Sequence, residues 1–274
     1  MKKSKRILIA KDTLEVLKRG YYETESGKRV NLSKAQKYAE QHTKVYRPDE
    51  LSALLAAPSN EDKPYTTSFV VNDLSSLNSV REEASAEENL ICLNFASARN
   101  PGGGFLKGSQ AQEESIARAS GLYPCQLRGK PYYLANRAIK TCLYTDHMIY
   151  SPQVPIFREE DGTLMDDFVK CSFLTTPAVN AGVIKRNEPA QIQEIEPRMR
   201  QRMDMVLAIC RALQYNTLIL GAWGCGVFEN DPILVAEMFH EQLTTKYKGA
   251  FQKVVFSIYS KDERFITPFQ EKFQ

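Results

Sequence analysis

Leu90-Ile91-Cys92-Leu93-Asn94-Phe95 is an apolar run that does not alternate with polar residues. A strand with one wet face alternates; a strand buried on both faces does not. Comparable runs follow at Thr67–Val71 and Thr217–Gly221, with a last one over Lys253–Tyr259. Helical periodicity separates them. Segments 73–86, 110–122 and 190–214 read as helices, and Pro232–Thr245 reads as another. Met148–Phe157 and Phe168–Thr176 read as further strands. Over 190–214, Ile192, Ile195, Met199, Met203, Val206, Cys210 and Leu213 recur at three- and four-residue steps, a core-facing stripe. Alternating strands and helices with doubly buried strands predict an α/β fold with the sheet covered on both faces. Ligands of such sheets sit beyond the carboxyl ends of the strands.

The start of the chain reads differently. Residues 12–19 predict a short helix ended by Gly20, and 21–32 a hairpin around Ser26-Gly27. Ser33 is placed to cap a helix through about His42. Residues 58–64, Pro-Ser-Asn-Glu-Asp-Lys-Pro, form a polar connector bounded by prolines. The expected division is an N-terminal, mainly helical extension over 1–64 and a larger domain over 65–274.

Composition narrows the chemistry. With 274 residues and a net charge of +3, the chain lacks the basic excess expected of a duplex nucleic-acid binder, though one local anion site remains compatible. Lys2 to Arg6 reads as a solvated basic tail. The apolar run after it, Ile7 to Ala10, is too short for a secretory segment, and no run reaches membrane-spanning length. The six cysteines contain no CxxC pair and no Cys/His cluster of zinc spacing. Reduced thiols in a cytoplasmic protein, or a nuclear one in a eukaryote, are the natural reading. No metal and no cofactor is expected.

Two glycine-rich loops each follow an apolar strand and precede a helix. The first runs Ala96-Ser97-Ala98-Arg99-Asn100-Pro101-Gly102-Gly103-Gly104-Phe105. Its glycines free the backbone to approach a ligand and to turn N–H groups toward an anion. Ser109 stands where a P-loop requires Lys, and Lys107 where a dinucleotide fingerprint requires Gly, so neither motif is present. The second runs Gly221-Ala222-Trp223-Gly224-Cys225-Gly226-Val227-Phe228-Glu229-Asn230, with Asp231 as N-cap and Pro232 as first helical residue. Ordinary strand-to-helix turns also carry glycine, but they are usually shorter. Two anion-ready loops suit a diphosphate. Gln112-Glu113-Glu114 opens the helix after the first loop. Glutamates there often serve only as helix-dipole partners, yet this pair comes straight after the glycine loop and can face the same ligand.

Gly102-Gly103-Gly104, followed after a short spacer by Gln112-Glu113-Glu114, resembles the signature of the poly(ADP-ribose) glycohydrolases. The surrounding Leu93 to Ser115 is similar to their bacterial-type branch. The resemblance spans about 65–260, and the N-terminal extension also looks similar. It implies a macrodomain-like three-layer α/β/α sandwich with a mixed central sheet. It implies exo-type hydrolysis of the ribose–ribose O-glycosidic bonds of poly(ADP-ribose), with ADP-ribose released. On the same grounds Glu114 is the acid/base and Glu113 holds ribose hydroxyls. Asn94 and Ser97 stand at the macrodomain Asn-x-x-Asn, with Ser97 in place of the second Asn. Gly224, Cys225, Gly226, Val227 and Phe228 match the diphosphate loop, Phe228 packing on the terminal ribose. Gly102, Gly103, Gly104, Phe105 and Gln112 complete the ligand-binding set. The resemblance does not place the residue that stacks on adenine. Three other readings stay open: hydrolysis of mono-ADP-ribose from protein or DNA, a non-enzymatic ADP-ribose reader, and a thiol enzyme using Cys225. A reader has no need of the two glutamates.

Overall fold

The computed structural model describes residues 1–56, 65–84 and 89–274. The connector expected over 58–64 lies outside these residues. In chain order the elements begin with α1 (Lys3–Arg19), β1 (Tyr21–Glu23), β2 (Arg29–Asn31), α2 (Ser33–Gln41), β3 (Lys44–Tyr46) and α3 (Pro48–Ala56). Then come β4 (Ser68–Asn72), α4 (Ser76–Ala84), β5 (Leu90–Phe95), α5 (Gln112–Ala119), α6 (Leu122–Arg128) and α7 (Lys130–Ala138). The chain closes with β6 (Met148–Arg158), β7 (Leu164–Thr176), α8 (Ala181–Asn187), α9 (Ile195–Ala212), β8 (Thr217–Leu220), α10 (Pro232–Thr244), β9 (Lys253–Ser257) and α11 (Thr267–Phe273).

Seven strands form one sheet in the order β3-β6-β7-β5-β8-β9-β4. The pairs from β7 through β4 are parallel, and β3-β6 and β6-β7 are antiparallel. The sheet is therefore mixed. Central β5 shows why its sequence does not alternate. Ile91 and Leu93 enter a core with Met203 and Val206 of α9, Phe239 of α10 and Phe269 of α11. Leu90 and Cys92 enter another with Leu77 of α4, Ile116 of α5 and Leu122 of α6. Helices thus cover both faces, and the fold is a macrodomain-like α/β/α sandwich. No helix among the described residues is long and apolar enough to cross a membrane.

Several local readings change. Lys2 to Lys5 are exposed as expected, but Lys3 to Arg6 are helical, beginning α1, and Arg6 Nε donates to Gly108 O at 2.7 Å. Ser33 is not a cap: its hydroxyl donates to Gly20 O, while Asn31 Oδ1 accepts its N–H. The helix expected over 110–122 is α5, which ends at Ala119, and a separate helix, α6, starts at Leu122. Ser120 is extended, bridges Ile156 of β6, and leaves Gly121 N–H bonded to Pro155 O. Helix α9 begins at Ile195, after a 3₁₀ turn over Pro189–Glu194, which leaves Ile192 outside the stripe and largely exposed. Pro197 fits only the first turn of an α-helix, so α9 starts no earlier.

The first 56 residues are built into the rest. β3 pairs with β6 at the sheet edge, Val45 opposite Ile149. Thr13 of α1 donates to Arg118 O at 2.6 Å and accepts from Arg158 Nε at 3.0 Å.

Candidate active site

The loops after β5 and β8, neighbouring parallel strands, open at the same end of the sheet. Between them lies a cavity of about 400 Å³, lined by Ser97, Glu113, Glu114, Tyr144, Trp223 and Phe228 among others. A second cavity of about 380 Å³ adjoins it, lined by Ser75, Gln110, Ile258, Tyr259 and Phe265 among others. Phe95, Ala222 and Gly226 wall both, so the two are lobes of one cleft.

The first glycine loop and the start of α5 are locked together by the glutamates. Glu114 is half-buried, and its Oε1 accepts the Gly104 N–H at 2.9 Å. Gly103 lies against both carboxylates with a φ of 57°, a left-handed conformation that side chains resist. A Cβ there would fall on Glu114 Oε1 and within 3.1 Å of Glu113 Oε2. Only glycine brings backbone this close to the pair.

Glu113 is 2% exposed. Its Oε2 accepts the Ser97 N–H at 2.7 Å, and its Oε1 accepts Gln126 Nε2 at 2.7 Å and Asn94 Nδ2 at 3.3 Å. Burial pushes the Glu113 carboxyl up to about 8, against the pull of these three donors, while the nearby Glu114 charge adds to the rise.

The expected ligand residues divide into those at the cavity and those behind it. Asn94 does not line the cleft: it is wholly buried, spanning Glu113 and Thr175 Oγ1. Gln112 reaches both lobes, but its amide is spent on β5, accepting Phe95 N–H and donating to Leu93 O and to Ser76 Oγ. Ser97 lines the cleft while its hydroxyl accepts the N–H groups of Arg99 and Asn100, which turns the loop. Gly102 packs under the Phe105 and Tyr123 rings, and Phe105 is buried beside Ala10 of α1. Those two shape the loop from behind.

In the second loop, Gly224 has a φ of 75° and sits tightly against Ala178 and Asn230, whose amide donates to Val179 O and Gly224 O. Gly226 and Val227 stand exposed at the rim, and Phe228 is half-buried. Asp231 caps α10 by accepting the Ile233 N–H, with Pro232 following as expected. Cys225 is buried behind the loop, and desolvation pushes its thiol up, so it supplies no thiolate. The thiol-enzyme reading fails on that burial.

The sequence reading missed Tyr144, whose ring centroid lies 6.1 Å from that of Phe228 across the cavity. Its φ of 60° is unusual for a non-glycine residue. Arg202, completely buried, donates to Leu143 O, Tyr144 O and Pro177 O and pairs with Asp146, which fixes this segment. The segment has no periodicity that could have marked Tyr144. Gln126 was missed as well.

Carboxylates gripped by main-chain N–H groups at the mouth of a cleft suit glycosidic chemistry, and the sheet that carries them is of macrodomain type: the chain is a macrodomain-type glycosidase. The sequence profile of the microbial-type PARG catalytic domain matches residues 10–159. A poly(ADP-ribose) glycohydrolase (PARG) from Thermomonospora curvata is 38% identical, with 98% of this chain and 100% of that one covered and a TM-score of 0.94. The same enzyme bound to the inhibitor ADP-HPD matches at 38% identity over the same shares, with a TM-score of 0.91. A PARG from Deinococcus radiodurans in complex with ADP-ribose is 38% identical over 87% of this chain and 97% of that one, with a TM-score of 0.84. No curated protein matches significantly in sequence. The chain belongs to the microbial-type PARG family and is a poly(ADP-ribose) glycohydrolase.

Proposed function

We propose that the chain binds the terminal ADP-ribose unit of poly(ADP-ribose) across the two lobes and releases it. The adenosine takes the lobe of Tyr259 and Phe265, and the diphosphate lies along Gly224 to Phe228. The distal ribose takes the lobe where Glu114 faces Tyr144 and Phe228. The carrying observation is the paired carboxylate edge beside Gly103: Glu114 Oε1 on the Gly104 N–H, Glu113 Oε2 next to it. The relatives solved with ADP-ribose and with ADP-HPD support this reading.

In the reaction the bond between the terminal ribose C1 and the oxygen of the preceding ribose breaks. Glu114 gives its proton to that oxygen as it leaves. Positive charge spreads over C1 and the ring oxygen in an oxocarbenium-like state. Glu113, close by, accepts ribose hydroxyls and holds the ring in place at the reacting carbon. Water then attacks C1 and returns a proton to Glu114, so one carboxylic acid serves both steps. Free ADP-ribose and a chain one unit shorter result. Because all six cysteines are free, a reducing, cytoplasmic setting is supported.

Incubation with poly(ADP-ribose), with products resolved by length over time, tests this. Mono-ADP-ribose should appear from the first time point. Early long oligomers would refute release from chain ends. Rapid hydrolysis of mono-ADP-ribosylated protein with the polymer left intact would refute the polymer as substrate.

A further inference from the structure

Gln126 lies on α6, thirteen residues after Glu113, and none of its side chain reaches solvent. Its nearest apolar neighbours on the helix, Leu122 and Cys125, belong to the sheet-facing core. An apolar side chain of similar shape would fill the same space and leave no orphaned carbonyl. Instead the amide is buried, and its carbonyl oxygen has no hydrogen-bond partner among the described residues. A buried carbonyl left unpaired works against folding and calls for a compensating role. The amide gains one thing for it: Nε2 donates to Glu113 Oε1 at 2.7 Å.

A glutamate side chain rotates about three bonds, so one contact leaves its carboxylate free to swing. Glu113 Oε1 is held from two elements, by Gln126 on α6 and by Asn94 on β5. The Ser97 N–H takes one lone pair of Oε2, and that oxygen lies on the glycine-loop side, 3.1 Å from the Cβ position of Gly103. We infer that Gln126 is a positioning residue for the reaction, holding Glu113 Oε1 to the protein so that Oε2 is the oxygen offered to the distal ribose. The inference rests on the reading of Glu113 as the ribose-holding carboxylate. Gln126 itself touches no substrate; it acts through Glu113, and support of this kind sets how tightly a site holds its geometry.

A four-protein cycle tests it: wild type, Gln126→Met, Glu113→Ala and the double variant. ADP-ribose affinity by calorimetry and kcat on the polymer are read for each. Met keeps the volume and removes the donor. Gln126→Met should weaken binding or turnover by roughly two- to ten-fold, the range for a typical buried hydrogen bond. In the Glu113→Ala background the same change should cost nothing further in affinity. An equal loss in both backgrounds overturns the inference and leaves the role of Glu113 standing. Normal binding and turnover in Glu113→Ala alone overturns the reading of Glu113, and the inference with it. If Gln126→Met does not fold, Gln126→Asn, which draws the amide back by one methylene, enters the same cycle with the same two outcomes.

Discussion

Glu114 Oε1 accepts the Gly104 N–H at 2.9 Å, so the proposed acid is tied to the loop that precedes its own helix. Loop and carboxylate cannot shift independently. The hydrogen bond occupies one oxygen, and Oε2 has no hydrogen bond among the described residues. That oxygen is the one placed to exchange a proton with a bound ribose.

Glu114→Gln should abolish measurable hydrolysis and leave ADP-ribose binding largely intact. The swap keeps size and the acceptor for Gly104 and removes proton exchange, a loss of roughly 10²–10⁴-fold in rate. Turnover on the polymer and calorimetry on ADP-ribose separate the two effects. Glu113→Gln should also be harmful, through lost positioning, and the double variant should be far from additive because the residues act as one unit. Near-normal turnover in Glu114→Gln, with loss in Glu113→Gln, would reverse the assignment.

Gly103→Ala should disable the site. The new methyl group would fall on Glu114 Oε1, at a φ of 57° that alanine resists. A non-glycine residue in that region costs about 1–3 kcal/mol, and displacement of Glu114 should lower kcat at least about ten-fold, since small misplacements near a reacting bond are expensive. Gly27→Ala, in the turn between β1 and β2, is the control, because its φ of 80° is equally left-handed while a Cβ there meets nothing within 4 Å. Equal kcat in the two variants would show that the crowding at Gly103 is harmless.

Stability should carry the mark of Glu113. Its carboxyl titrates ordinarily at 4.5 and is raised by burial to about 8 in the fold, with Glu114 on its own helix and Tyr132 and Tyr133 of α7 nearby. A raised acid binds its proton more tightly folded than unfolded. The stability it contributes is therefore complete below the unfolded value and is lost as the pH rises toward the folded one. Glu113→Gln is neutral throughout and has no such loss. The melting temperature of wild type relative to Glu113→Gln should fall between about pH 5 and pH 8 and then level off. A difference that stays flat over this window would mean the three donors keep Glu113 ionised.

Phe228→Ala should cut turnover more than it lowers the melting temperature. Phe228 is half-buried and faces Tyr144 at 6.1 Å, so its loss removes a wall of the ribose lobe and little core. An unchanged rate with a clearly lower melting temperature would make the ring merely structural.

The sheet was legible because its strands carry their burial in their composition. Leu90 to Phe95 feeds two cores, and only a covered strand tolerates that. The glycine triplet and Glu113-Glu114 were legible because that chemistry is local in sequence. Residues fixed by distant partners were not. Asn94 reads as a ligand residue by its place in the motif, but it turns inward because Glu113 and Thr175 are its partners there. β3 is three residues long and exists through its pairing with β6, about a hundred positions away. Tyr144 owes its place to Arg202, and Gln126 belongs to a seven-residue helix too short to show a period.

Helix α1 meets partners far along the chain from itself: Arg6 binds Gly108 across 102 positions, and Thr13 binds Arg118 and Arg158 across 105 and 145. At a synthesis rate of about 5–20 residues per second, Arg6 is made roughly 5–20 seconds before Gly108. Until then the carbonyl of Gly108 does not exist for Arg6 to grip. Docking of α1 thus waits for chain made well after it, and the helix closes from behind on a glycine loop that must already be in shape to receive it.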